Sequence, residues 1–371
     1  MVDVLMFVED PGAANYIQQL PEALSARGIR SKLLTRGLAA DYLRQFKVES
    51  EEVPPEFGAF AILKKHTPRV VMVGTAENPK TMGLDLIDSA RGSGIVSVGI
   101  VDAGINSEYR FRGATGKALN FAPDWLLVPD SWTAERFEQL GYNRDKLVVC
   151  GHPHYDYVRS VSRELGKEDR NELRKKLFPG WSNGRQIWLF ACEISTGCDP
   201  EQFRYSSEYT LKGTGRHTER TKVVLEEFLD SLSELEDRPY LVLRLHPKNT
   251  IEEFSDFTDR FDHVSKGGNV LEVIFGCDLV VGMTSMLLME AALMDIATLS
   301  IVPRALEKQW LASTRDGITP CISTRDELKT VVKSYGIPGV LPVRAASVDS
   351  IMEGSMDRVL GFLARVLAEQ N

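Results

Sequence analysis

Residues 2–15 read VDVLMFVEDPGAAN. Val2–Val8 is a buried strand in pattern. Asp10-Pro11-Gly12 then turns the chain straight into a helical pattern that runs to about Arg27. A buried strand that passes through a tight loop into a helix is the opening unit of a parallel sheet covered by helices. Pro21 lies inside that pattern and predicts a kink, because it has no N–H to give and its ring crowds the preceding turn. Gly28 predicts the stop. The alternation continues outward. Lys32–Thr35, Arg69–Gly74, Ile95–Val101, Asp124–Val128 and Lys146–Cys150 read as strands, with helices near Leu38–Phe46, Phe57–His66, Gly83–Arg91 and Trp132–Leu140. Residues 1–155 thus predict a Rossmann-like domain.

Residues 156–185 break the rhythm. Arg163 to Lys176 is strongly charged, and Pro179, Gly180, Asn183 and Gly184 interrupt regular structure, so this stretch reads as a linker carrying one solvated helix. A second α/β unit over 186–345 follows. Its strands are Gln186–Cys192, Tyr240–Leu245, Asp278–Gly282, Ala297–Val302 and a short one near Pro320–Ile322. Its helices are Glu219–Leu235, Ile251–Phe261, Asn269–Phe275, Met286–Met294 and Arg325–Ser334. Residues 346–371 close with an amphipathic helix, Asp349–Glu369, which comes after the second sheet is complete and is expected to pack back on the first domain. The fold class is α/β: two Rossmann-like domains facing across a cleft.

At 371 residues the length suits two domains. With 44 Lys+Arg against 52 Asp+Glu the net charge is −8, so the basic field that nucleic-acid binding requires is missing. The first residues have no cationic n-region, and no run approaches the ~20 apolar residues of a membrane span. Five dispersed cysteines without a CxxC pair fit reduced thiols. Together these predict a cytoplasmic protein.

In open parallel sheets ligands bind beyond the carboxyl ends of the strands, so the loops there carry the functional reading. Asp10 ends the first strand. It is a candidate general base and equally an N-cap ahead of Pro11. Gly12 would let a ligand approach the helix start. Asp102 follows a buried strand and has the position of a base, or of an ordinary turn residue. Glu77 is a weaker candidate of the same kind. Gly151-His152-Pro153-His154 reads as a hinge segment rather than a metal site.

In the second half, residues 191–197 (ACEISTG) form a small polar loop ending in Gly197 that could present N–H groups to phosphate, or merely connect strand to helix. Glu193 weighs against the anion reading. Pro200–Thr218 is long and polar, a functional lid or a disordered insertion. Leu243-Arg244-Leu245-His246-Pro247-Lys248 delivers Arg244 and His246 at a strand end, where His246 can donate to a phosphate oxygen or sit satisfied in a turn. Gly282-Met283-Thr284-Ser285 ends another strand and opens a helix. Thr284 and Ser285 make an anion site or a plain cap, and Glu290 lies about one and a half turns on. Met286, Met289 and Met294 read as core.

The His-Pro pair together with Thr284-Ser285-x4-Glu290, each after a strand of the second half, resembles the GT-B glycosyltransferase superfamily. The likeness is to its bacterial surface-polysaccharide branches, including CDP-glycerol glycerophosphotransferases and sialyltransferase-like enzymes. Val128-Pro129-Asp130-Ser131 through Cys150-Gly151-His152-Pro153 is similar to the end of the first domain there and in UDP-GlcNAc 2-epimerases. The resemblance implies His246 near the donor phosphate or leaving group, Thr284 and Ser285 on the phosphates, and Glu290 near the ribose. It also implies an acidic base from the first domain, Asp10 or Asp102. Two departures stand out. Glu9-Asp10-Pro11-Gly12 carries a proline where the sialyltransferase motif has none, and Glu193-Ile194 stands near the place of the epimerases' His-Arg pair.

The reading that follows is a metal-independent glycosyltransferase. It moves a sugar or related group from a nucleotide-sugar donor, a substrate rather than a cofactor, to a hydroxyl acceptor on a glycan or lipid-linked carrier. Arg244 and Gly197 complete the expected donor site. Peripheral membrane contact and a homo-oligomer are both compatible with that role. The alternatives are a nucleotide-sugar 2-epimerase or hydrolase, and a two-domain binding protein without chemistry.

Overall fold

A computed structural model describes residues 2–194, 200–337, 347–348 and 351–370. Its first sheet has the strands β1 (Val2–Val8), β2 (Ser31–Thr35), β3 (Glu51–Glu52), β4 (Pro68–Gly74), β5 (Val96–Ile100), β6 (Trp125–Val128) and β7 (Leu147–Val149). All pair in parallel, in the order β3-β2-β1-β4-β5-β6-β7. The second sheet has β8 (Ile187–Ala191), β9 (Tyr240–Arg244), β10 (His263–Ser265), β11 (Leu279–Gly282), β12 (Ala297–Ile301) and β13 (Cys321–Ile322), again parallel, in the order β10-β9-β8-β11-β12-β13. These are two Rossmann-like domains, wound alike.

Each sheet is buried on both faces, which is why its strands read as unbroken apolar runs. Along β1, Val4, Met6 and Val8 face one core while Leu5 and Phe7 face the other. The first core also takes Val359, Leu360, Leu363 and Val366 of the helix Ser355–Ala368. At about 1.5–3 kcal/mol for each fully buried aliphatic side chain, that face anchors the carboxy-terminal helix on the first domain, as its sequence pattern predicts. Asp156 fixes the helix start by accepting the N–H groups of Gly354 at 3.1 Å and Met356 at 3.0 Å. Arg358 donates to the Cys150 carbonyl at 3.0 Å. The chain thereby divides into two compact units, Met1–Tyr157 with Met352–Asn371, and Val158–Ile351.

Several elements differ from their sequence reading. The first helix is two, Pro11–Ile17 and Leu20–Ala26, because Pro21 begins a new helix instead of continuing the old one. Residues 156–185 hold not one solvated helix but parts of two, Pro153–Leu165 and Arg170–Leu177. The second is tied down: Arg170 and Arg174 donate to the carbonyls of Phe275 and Gly276, both at 2.8 Å, at the end of the helix Val270–Gly276. Ile251–Phe261 is not an α-helix but two 3₁₀ turns, Glu252–Phe254 and Thr258–Arg260. The Ser255 and Thr258 hydroxyls bond back to the carbonyls of Glu252 and Ser255, at 3.0 and 3.1 Å, and hold those tight turns. The described part of Pro200–Thr218 is ordered. Lys212 and Gly213 give their N–H groups to Glu227 at 3.0 and 2.7 Å, and Thr214 gives its own to Glu226 at 2.6 Å.

Candidate functional site

In the second sheet the strand order reverses between β8 and β11, so the loops after those strands and after β9 frame the place where such sheets bind ligands. Glu193, two residues beyond β8, fills that corner. Its carboxylate accepts the Thr284 N–H at 2.5 Å, the Thr284 hydroxyl at 3.0 Å and Arg220 Nη1 at 2.8 Å. Arg220 in turn donates to Glu307 at 2.7 Å, and Arg304 donates to the same Glu307 at 2.6 Å. Trp310 lies against both guanidinium groups, 5.4 Å from each. The Arg220 and Glu307 side chains are 1% and 0% exposed, so this is a buried, internally compensated network. It raises the Arg220 guanidinium above its usual range against the opposing cost of burial, through Glu307 first and then Glu193.

Around that corner lie the other predicted residues. Ser285 caps the helix Met286–Leu293, its hydroxyl oxygen accepting the Leu287 N–H at 3.3 Å. His246 accepts the Lys248 N–H on Nδ1 at 3.1 Å, which places the ring proton of a neutral imidazole on Nε2. Its own N–H goes to Asn249 at 3.2 Å. Arg244 commits Nη1 to Ser265 and to the Gly267 carbonyl, at 2.8 and 2.7 Å, so that nitrogen clamps the loop after β10. Glu290 is buried rather than solvating its helix, as are Met289 and Met294. Gly197 lies outside the described residues.

The first unit carries its own cluster at the strand ends. Asp102, just after β5, accepts Arg110 Nη1 at 3.1 Å. Arg110 is buried and also donates to the Ala103 carbonyl at 3.2 Å. Asn106 donates to Glu77 at 3.0 Å, which joins the loops after β4 and β5. Asp10 holds the N-cap position of Pro11–Ile17, but its side chain makes no capping hydrogen bond. A Cβ added to Gly12 would stand 2.0 Å from Asp102 Oδ2, so Asp102 covers the start of that helix. Burial pushes the Glu9 carboxyl above the ordinary glutamate value of 4.5, against the pull of Arg36 and of the Met82 and Gly83 backbone.

Sequence reading did not single out Arg110, Arg220, Arg304 or Glu307 for the site. Arg220 meets Glu193 and Glu307 across 27 and 87 positions of chain, so its signal is spatial, whereas Arg304 and Arg110 pair with Glu307 and Asp102 only 3 and 8 positions away, where no motif marks the pair. His152 and His154 are both buried, His154 bonded to Gln18 at 2.6 Å, and burial holds the His152 imidazole well below its usual range. A cavity of ≈ 500 Å³ is lined by Arg216, His217, Glu226, Asp256, Phe257 and Arg260, and includes none of His246, Thr284 and Ser285. Among the described residues no group of three or more His, Cys, Asp or Glu stands where it could hold a metal ion. Nor is any described helix long and apolar enough to cross a membrane.

No protein-family model matches the chain, and no curated protein does. Solved structures do. A UDP-GlcNAc 2-epimerase of Methanocaldococcus jannaschii, in complex with UDP-GlcNAc and UDP, superposes with a TM-score of 0.70 at 12% identity, over 98% of this chain and 100% of that one. The UDP-GlcNAc 2-epimerase of Neisseria meningitidis, bound to UDP-GlcNAc, gives 0.69 at 12% identity over 98% and 100%. The wall teichoic acid polymerase TagF gives 0.59 at 11% over 99% and 89%. The chain thus has the GT-B-like fold of nucleotide-sugar 2-epimerases and of this polymerase.

Proposed function

We propose that the second unit binds a nucleotide-activated donor, and that the protein transfers a sugar or related group from it to a hydroxyl acceptor in polysaccharide or glycoconjugate synthesis. The observation that carries this reading is the placement of His246 and Ser285 after β9 and β11. Both are at the carboxyl side of one parallel sheet, beside the point where its order reverses. His246 Nε2–H donates to the leaving phosphate as its charge develops, and a donor fixed in place stabilises that charge without reorganisation. The Ser285 hydroxyl holds the phosphate, and Glu290 is assigned to the ribose. Asp102 is the base for the acceptor hydroxyl in preference to Asp10, because Arg110 orients it. The reading routes no step through a metal.

Calorimetric titration of UMP, UDP, CMP and CDP into the parent, His246→Ala and Ser285→Ala proteins tests the donor site. Affinity is expected to fall about tenfold or more in each variant, the worth of one charge-assisted hydrogen bond. Unchanged affinity in both variants overturns the assignment. The fold shared with 2-epimerases favours a second reading, epimerisation or hydrolysis of the same donor. Epimerised or free sugar formed with no acceptor present would select it.

A further inference from the structure

The head of the helix Met286–Leu293 is where a sheet of this winding offers backbone N–H groups to an anion. In this chain an anion of its own already lies there. Glu193 takes the Thr284 N–H at 2.5 Å and the Thr284 hydroxyl at 3.0 Å. Arg220 holds it from the other side at 2.8 Å. That arginine is shared with Glu307, so it cannot turn wholly to a ligand without taking one of the two cations from a fully buried carboxylate. Arg220 and Arg304 balance Glu193 and Glu307, and the network has no spare positive charge. The Glu193 side chain is 14% exposed, so its charge reaches the surface of the corner.

A donor phosphate can still be met by His246 Nε2–H and by Ser285, whose hydroxyl keeps its own proton while its oxygen caps the helix. A second phosphate, set against Thr284, would find the donors there taken and a like charge beside it. We infer that Glu193 is a specificity-determining residue that limits this corner to one phosphate, so that the protein uses a nucleoside monophosphate conjugate and gains nothing from a diphosphate. This rests on the donor reading above.

The test is calorimetry at constant ionic strength with CMP against CDP, and UMP against UDP, on the parent, Glu193→Gln and Glu193→Asp. Gln keeps an oxygen for the Thr284 N–H and removes the charge; Asp keeps the charge. The parent is expected to bind mono- and diphosphate of the preferred base within about threefold of each other. Glu193→Gln should raise the diphosphate-to-monophosphate affinity ratio by about tenfold or more, and Glu193→Asp should leave it near the parental value. A parent that prefers the diphosphate by about tenfold, with a ratio unmoved in Glu193→Gln, overturns the inference while the donor site stands. Should Glu193→Gln fail to fold, the parental ratio still decides, since a strong diphosphate preference means that a phosphate displaces Glu193. A parent that binds none of the four nucleotides overturns the donor reading and this inference together.

Discussion

In the first sheet, Glu9 follows β1 and its carboxylate is influenced by the Met82 and Gly83 backbone, at the head of the helix that follows β4. In the second, Glu193 follows β8 and receives the N–H of Thr284, just ahead of the helix that follows β11. The two corners are equivalent in winding, and in both a carboxylate of the chain itself lies by the helix head. They differ in the positive charge beside it. Glu193 is hydrogen-bonded to a buried arginine. Arg36, near Glu9, gives Nη2 and Nε to the carbonyls of Pro54 and Val53, at 2.9 and 3.4 Å, and acts on Glu9 through space. One topology can thus support a compensated anion and an undercompensated one, because compensation comes from residues outside the repeated strand–helix frame.

The sharpest way to break this comparison is to remove the arginines. Arg220→Ala strands Glu193 and leaves the wholly buried Glu307 with Arg304 as its remaining cation, and should cost about 3–5 kcal/mol. In the first unit Arg110→Ala strands Asp102, whose side chain is 18% exposed and can recover water, so about 1.5–3 kcal/mol is expected, the scale of a hydrogen bond to a charged group. Urea unfolding of both variants measures the difference. Equal losses would mean that the second network is no more closed to water than the first.

Gly12→Ala comes next. Its Cβ would meet Asp102 Oδ2 at 2.0 Å and push the carboxylate away from Arg110. About 1 kcal/mol of destabilisation is expected, the low end for overpacking, since the obstructing atom is the tip of a side chain. In an Asp102→Ala background the same substitution should cost nothing further, which thermal unfolding of the double variant checks. If the cost persists there, Gly12 is required by the helix start and not by Asp102.

That glycine illustrates how far the sequence could be read. Pro11 and Gly12 announce a strand-to-helix turn, and Val2–Val8 announces its buried strand, because a sheet covered on both faces writes itself as an apolar run. The edge strands β3 and β10 escaped that reading. Glu51-Glu52 and His263-Val264-Ser265 are short and polar, as edge strands tend to be. Phe254, Phe257 and Phe261 mimic a helical stripe, yet spacing alone cannot separate α from 3₁₀ where hydroxyls tighten the turns. The positions of His246, Thr284 and Ser285 just beyond strand ends are legible because each lies next to its strand. Arg220 and Glu307 are not, since they meet across 87 positions of chain and no local pattern marks such a pair. Gly12 itself appeared in sequence as an opening for a ligand, whereas the group that comes close to it is Asp102.

The smallest effect separates the two glutamates most cleanly, because it has opposite signs at the two corners. A carboxyl raised by burial binds its proton more tightly in the folded than in the unfolded chain. Its ionisation therefore weakens the fold as pH climbs from the ordinary glutamate value, 4.5, through the higher folded value. Glu9→Gln removes that penalty and keeps a side-chain oxygen. Its melting temperature relative to the parent should rise as pH passes upward through that interval, then level off, and the gain should vanish in acid below 4.5. Glu193→Gln should do the reverse at neutral pH, since it takes a compensating charge from a buried arginine. Differential scanning calorimetry of the two variants across pH 4 to 8, roughly the range between carboxyl and thiol titration, reads both. A Glu9→Gln variant less stable than the parent at neutral pH would show that the pull of the Met82 and Gly83 backbone on the carboxylate outweighs the cost of the charge, and that the two corners are alike after all.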